Sequence, residues 1–127
     1  MIIDGHDLDK KVFIIAELSA NHNQDLSLAL KSVEMAKQAG ADAIKLQTYT
    51  PDSLTLNIKD ERFKAGDLWK DEYLYDLYAR ACMPYAWHTP LKQKADELGI
   101  TLFSSPFDLE GVDVLEEIKV PAYKIAS

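Results

Sequence analysis

Apolar positions fall into short runs and helical stripes that alternate along the chain. Lys11-Val12-Phe13-Ile14-Ile15-Ala16 is a β-rich run of the kind that forms a strand buried on both faces of a parallel sheet, and it ends at a charge, Glu17. Leu26, Ala29, Leu30, Val33 and Ala36 then recur at helical spacing, with Asp25 placed to cap the helix and Gly40 to stop it. Asp42 to Gln47 reads as a second strand. Thr48 to Lys70 is polar and contains Pro51, Gly66 and Trp69, and connections of that length in compact domains are usually lids or disordered. Helical spacing returns at Tyr73, Leu74, Leu77, Tyr78 and Ala81 and breaks at Pro84. Thr89-Pro90 predicts an N-cap and first helical position for a helix ending at Gly99. Ile100 to Ser104 is a third strand, Asp108 caps a helix carrying Val112, Leu115 and Ile118, and Val120-Pro121 leads into a fourth strand, Ala122 to Ser127.

Four strands alternating with helices predict an α/β fold with a parallel sheet. A closed (β/α)8 TIM barrel needs at least about 200 residues, so 127 residues are expected to form its N-terminal half, one partial domain truncated after strand 4. A final strand with no covering helix would expose an unpaired edge, which predicts a truncated product. A small open βα sheet is the alternative.

With 47% apolar and 28% charged residues the chain can build one core. A net charge of -7 argues against an extended nucleic-acid or anionic-membrane surface, so any anion must be bound locally. Cys82 has no partner cysteine, which excludes a disulfide framework and fits a reducing compartment. The N-terminus lacks a basic n-region and a long apolar run, and no segment reaches the ~18 apolar residues of a membrane helix. The expected location is the cytoplasm.

Candidate chemistry gathers at the strand ends. Asp42 to Thr48 and Pro121 to Ser127 align without a gap, matching Lys45 with Lys124. Alternation puts Lys45 and Gln47 on one face and Ile44 and Leu46 on the other. If the apolar face meets the helices, both lysines point inward at the C-terminal strand ends, where Ser104, Ser105 and Ser127 add hydroxyls for a phosphate or carboxylate. Lysines snorkelling to solvent from an edge strand are the bland alternative. Glu17, followed by Asn21-His22-Asn23, suits proton transfer, sugar-hydroxyl binding or positioning of a metal-bound water, or else merely a loop held by side-chain bonds to the backbone. His6, His22 and His88 show no metal-ligand spacing, so no complete metal site is assigned. Asp108 is expected to be an N-cap rather than an acid catalyst. Among the aromatic residues flanking the long connection, only Trp69 is placed like a lid.

Ala16-Glu17-Leu18-Ser19-Ala20-Asn21-His22-Asn23, Gly40 to Thr48, Ser104-Ser105-Pro106-Phe107-Asp108 and Tyr123-Lys124-Ile125-Ala126-Ser127 resemble successive signature blocks of the sialic acid synthase family. Glu17 to His22, Thr48-Tyr49-Thr50-Pro51-Asp52 and Leu68-Trp69 leading into Leu74 to Tyr78 are most similar to its pseudaminic acid synthase branch, with N-acetylneuraminate synthases the alternative. Gln24 stands where the family commonly has Gly, and Pro90 is unusual within its helix and suggests a local break.

The resemblance implies a barrel followed by a C-terminal antifreeze-like domain, in a homodimer. It implies condensation of phosphoenolpyruvate with an open-chain acetamido sugar, phosphate leaving by C–O cleavage, with a manganese or magnesium ion polarising the aldehyde and its histidine ligands on later strands absent here. Carried over by position, Lys45, Ser105, Lys124 and Ser127 would hold phosphoenolpyruvate, Gln47 the sugar, and Glu17 would act near the metal, aldehyde or attacking water. Asn21 and Trp69 complete the candidate substrate-binding set. Two rivals are a barrel aldolase using Lys45 or Lys124 as a Schiff-base nucleophile and a non-catalytic half-barrel that self-associates. The isolated chain is expected to be inactive.

Overall fold

The computed structural model describes residues 1–126, apart from the side chain of Asp67. It opens with a hairpin that hydrophobic patterning did not signal, in which β1 (Ile2–Ile3) pairs antiparallel with β2 (His6–Asp7). The Asp4-Gly5 turn has φ of 47° and 81°, the left-handed pair that suits a two-residue hairpin. Asp4 accepts a 2.7 Å hydrogen bond from the Thr101 hydroxyl, which fastens the hairpin to the N-terminal end of the main sheet.

That sheet is parallel, with β3 (Ile15–Glu17), β4 (Ala43–Thr48) and β5 (Thr101–Pro106) side by side in chain order. Each strand adds on the same side of its predecessor, as in a singly wound barrel and unlike a doubly wound sheet, whose order reverses. Expected burial of the first strand on both faces does not hold. Val12 is 74% exposed and Ile14 54%, because among the described residues β3 has a strand neighbour only on the β4 side. The apolar run supplies β propensity, but burial requires a neighbour on each flank.

Asp25 caps α1 (Leu26–Gln38) by accepting from the amides of Ser27 and Leu28. Ala29, Val33 and Ala36 on its inner face pack with Ile44, Leu46 and Leu102 of the sheet and with Leu91 and Ala95 of α4 (His88–Leu98). The alanines let the helices approach the sheet closely, while burial of a side chain such as Leu91 contributes about 1.5–3 kcal/mol. Gly99, at φ 63°, ends α4 as its left-handed C-cap, as expected. The start of α4 differs from expectation: His88 is its first residue and Trp87 its cap, so Pro90 falls inside the first turn. Amides there have no intrahelical acceptor, so a proline costs no helical hydrogen bond and no break appears.

The long polar connection is ordered rather than a disordered loop. Thr50 and Ser53 form a capping box around the single turn of α2 (Pro51–Leu54), two 3-10 turns follow at Glu61–Phe63 and Asp67–Trp69, and α3 (Leu74–Ala81) fulfils the helical spacing. Asp108 caps α5 (Leu109–Glu117) through a 2.6 Å bond from the Gly111 amide, the role expected of it. After α5 the expected fourth strand is reduced, among the described residues, to one parallel bridge from Tyr123 to Ser104, in which the Lys124 amide donates to the Ser104 carbonyl at 3.0 Å. Pro121 has no amide to donate, and among the described residues no further strand flanks this segment to extend the ladder.

Candidate anion-binding site

Strand alternation sorts the candidates onto two faces. Ile44, Leu46 and Leu102 belong to the core against the helices, so Lys45 and Gln47 on β4 and Phe103 and Ser105 on β5 occupy the opposite face. Register then sets them in rows: Glu17 beside Lys45 and Lys45 beside Phe103, with Gln47 beside Ser105 one step nearer the C-terminal ends. The inward placement expected for Lys45 is therefore present.

Lys45 and Glu17 form an ion pair across neighbouring strands. The lysine side chain is 16% exposed and the carboxylate 36%. With one partner that open to water the pair adds only a fraction of a kcal/mol to stability, about what a surface pair gives. Its consequence is geometric: the ammonium is held on the sheet face with donors to spare. Glu17 also accepts from the amide and hydroxyl of Ser19, both at 3.2 Å, and Ser19 takes a left-handed φ of 50°, so the carboxylate is fixed by its own loop as well. The structural and functional roles considered for Glu17 thus share one geometry.

Lys124 is exposed on the segment beside β5. Its neighbour Tyr123 hydrogen-bonds Glu116 of α5, on the helix side, so alternation directs Lys124 toward the face of Lys45 and Ser105. Ser127 lies outside the described residues. Asn21 is exposed on the loop after β3, its amide bonded to the Leu18 carbonyl at 3.0 Å. Trp69 lies half-exposed against a cavity of about 430 Å³ lined also by Ala20, Asn23, Gln24, Leu77 and Arg80, beside the Glu17 loop.

Gln24 and Ser104 depart from expectation. Gln24 adopts a left-handed φ of 54°, where glycine would be the unstrained choice, and its side-chain amide donates to the carbonyls of Arg80 (2.9 Å) and Cys82 (2.7 Å). Those bonds offset the backbone strain and tie the loop to the end of α3. Ser104 does not join the anion face. It shares the helix-side parity of Leu102, is fully buried, and bonds the Thr48 hydroxyl at 2.6 Å. Thr48 in turn bonds His88 Nε2 at 2.8 Å, while His88 Nδ1 lies 3.1 Å from the Tyr85 carbonyl. That carbonyl can only accept, so Nδ1 carries the proton, Thr48 donates to Nε2 and Ser104 donates to Thr48. Burial pushes the His88 pKa down, in keeping with a neutral ring.

This chain was missed at the sequence level although parity signalled it, since a polar residue in the helix-facing register of Ile44 and Leu46 needs a buried partner. His22 is also buried, stands edge-on to Trp87 and accepts from the Gln24 amide at 3.2 Å. Burial lowers its pKa, partly opposed by the Ala81 carbonyl. Among the described residues no three His, Cys, Asp or Glu side chains converge as metal ligands.

Comparison with known proteins shows the family. The profile of the NeuB family matches residues 32–127. The chain belongs to the NeuB family. It is 56% identical to pseudaminic acid synthase of Campylobacter jejuni over 128 aligned residues, which cover 100% of this chain and 37% of that protein. It is 51% identical to pseudaminic acid synthase of Helicobacter pylori, covering 90% of this chain and 34% of the relative. The crystal structure of N-acetylneuraminic acid (sialic acid) synthetase from Leptospira borgpetersenii in complex with citrate superposes with a TM-score of 0.73 at 32% identity, over 90% of this chain and 35% of the other. The chain thus spans about a third of the length of these NeuB relatives, and its parallel sheet with helices is part of a TIM barrel.

Proposed function

We propose that this chain forms the phosphoenolpyruvate-holding side of a nonulosonic acid synthase, a transferase that condenses phosphoenolpyruvate with an acetamido sugar and releases phosphate, and that the sugar is the precursor of pseudaminic acid. The observation that carries the proposal is the row of Glu17, Lys45, Gln47 and Ser105 on one sheet face with Lys124 directed to it. Identity of 51–56% to pseudaminic acid synthases favours that branch over N-acetylneuraminate synthesis.

Lys45 and Lys124 supply ammonium donors and Ser105 a hydroxyl, a set suited to a phosphate and a carboxylate through charge-assisted bonds. Gln47, beside Ser105, offers an amide to the sugar hydroxyls. Glu17, held by Lys45 and Ser19, is a fixed carboxylate at the position where the sugar aldehyde would meet phosphoenolpyruvate, and serves proton transfer there. Lys45 paired with a carboxylate is arranged as a donor to anions and not as the desolvated, unpaired amine that a Schiff-base aldolase needs. The same proposal includes a cytoplasmic homodimer and a manganese or magnesium ion held by residues outside this chain.

The test is phosphate release from phosphoenolpyruvate by the full-length protein with manganese, offered either the diacetamido-trideoxy altrose precursor of pseudaminic acid or N-acetylmannosamine. Release with the altrose sugar alone is expected. Release with N-acetylmannosamine alone would move the protein to the neuraminate branch, and release with neither would refute the synthase assignment.

A further inference from the structure

We propose that Thr48 and His88 are positioning residues for phosphoenolpyruvate, acting through Ser104 to set the placement of both Ser105 and Lys124; this rests on the anion site proposed above. The β4–β5 ladder reaches Pro106, which has no amide to donate, so the ordinary backbone pairing fails at the end of the strand that presents Ser105. Side chains take over there. Ser104 donates to Thr48 at 2.6 Å, Thr48 to His88 at 2.8 Å, and His88 to the Tyr85 carbonyl at 3.1 Å, all three side chains being fully buried. The Thr48 carbonyl also accepts from the Phe107 amide at 3.2 Å, the first amide beyond the proline.

Ser104 is the branch point. Its side chain fixes the rotation of β5 from the helix side, and Ser105, the next residue, is thereby aimed at the opposite face. Its carbonyl accepts the Lys124 amide at 3.0 Å, the bond through which the Tyr123 bridge lays this segment against β5. Two of the groups proposed to hold phosphoenolpyruvate therefore hang from one residue whose orientation depends on Thr48 and His88. Neither Thr48 nor His88 faces the ligand, so neither is a catalytic residue.

The experiment uses the full-length protein and reads phosphoenolpyruvate affinity by calorimetry beside the thermal midpoint. Thr48→Val keeps the shape but removes the hydroxyl, leaving His88 Nε2 without its donor and Ser104 without its acceptor. A buried group left unpaired costs enough to shift the strand end, so phosphoenolpyruvate binding is expected to weaken by about fivefold or more. Thr48→Ser restores the hydroxyl and should return affinity to within about twofold of the wild type. Val33→Ala, a fully buried change on α1 remote from this chain of bonds, should lower the midpoint without altering the affinity. Unchanged affinity in Thr48→Val, or equal weakening in Val33→Ala, would overturn the inference. Failure of the wild-type protein to bind phosphoenolpyruvate would instead overturn the anion site and this dependent inference with it.

Discussion

Replacing Lys45 by Met separates ligand binding from folding more cleanly than any other change at the site. The methionine keeps most of the apolar stem and removes the ammonium. In the free protein the loss is small, because Glu17 is 36% exposed and can be hydrated once its partner is gone; about 0–1 kcal/mol of stability is at stake. On the ligand side a charge-assisted hydrogen bond to phosphate or carboxylate is worth about 1.5–3 kcal/mol, which is roughly a ten- to 150-fold loss of affinity. Calorimetric titration of full-length wild type and Lys45→Met with phosphoenolpyruvate, beside denaturant unfolding of both, is the assay. Weakened binding with nearly unchanged stability is expected. Wild-type affinity in the variant would refute the placement of the anion at Lys45, and a stability loss of several kcal/mol would refute the description of the ion pair as weakly stabilising.

Glu17→Gln retains the loop's bonds to Ser19 in shape but removes the carboxylate, and should cut the rate of condensation at least about tenfold while leaving phosphoenolpyruvate affinity intact or tighter, as read by phosphate release and calorimetry. A Cβ on Gly111 would lie 3.0 Å from Asp108 Oδ1 and 3.2 Å from the Thr48 carbonyl oxygen, so Gly111→Ala should destabilise the protein by about 1–3 kcal/mol in denaturant unfolding. His22 and His88 are both held by burial below the ordinary value of 6.5. The unfolded chain therefore binds more protons than the native one beneath pH 6.5, and stability present above that pH is lost as the pH falls toward the depressed native values. Between about pH 7.5 and 5, His88→Gln should lose less unfolding free energy than the wild type; equal losses would remove His88 from the acid response.

The order of elements was legible because each rests on local chemistry. Asp25 and Asp108 cap the helices predicted from them, Gly99 ends its helix in a left-handed conformation, and the Lys45–Gln47 alternation gave the correct faces. What escaped depends on neighbours remote in sequence. Val12 and Ile14 read as buried yet are exposed, because a strand's burial is set by what flanks it. The segment after Pro121 has strand composition but, among the described residues, pairs along the backbone with Ser104 alone. Ser104 reads with Ser105 as an anion ligand only if strand parity is ignored, since neighbours on a strand point to opposite faces; parity signals its burial, but its partners do not show locally, Thr48 lying 56 residues away and His88 a further 40 from Thr48. Trp69, placed like a lid in the sequence, lines a cavity beside the Glu17 loop, a neighbourhood that only the turn Asp67–Trp69 reveals.

The most direct test of the central claim is a crystal structure of the full-length protein with phosphoenolpyruvate bound. The ligand's oxygens are expected within about 3 Å of Lys45 Nζ, Ser105 Oγ and Lys124 Nζ, with Gln47 free for the sugar. Phosphoenolpyruvate bound away from this face, for instance in the cavity beside Trp69, would contradict the account.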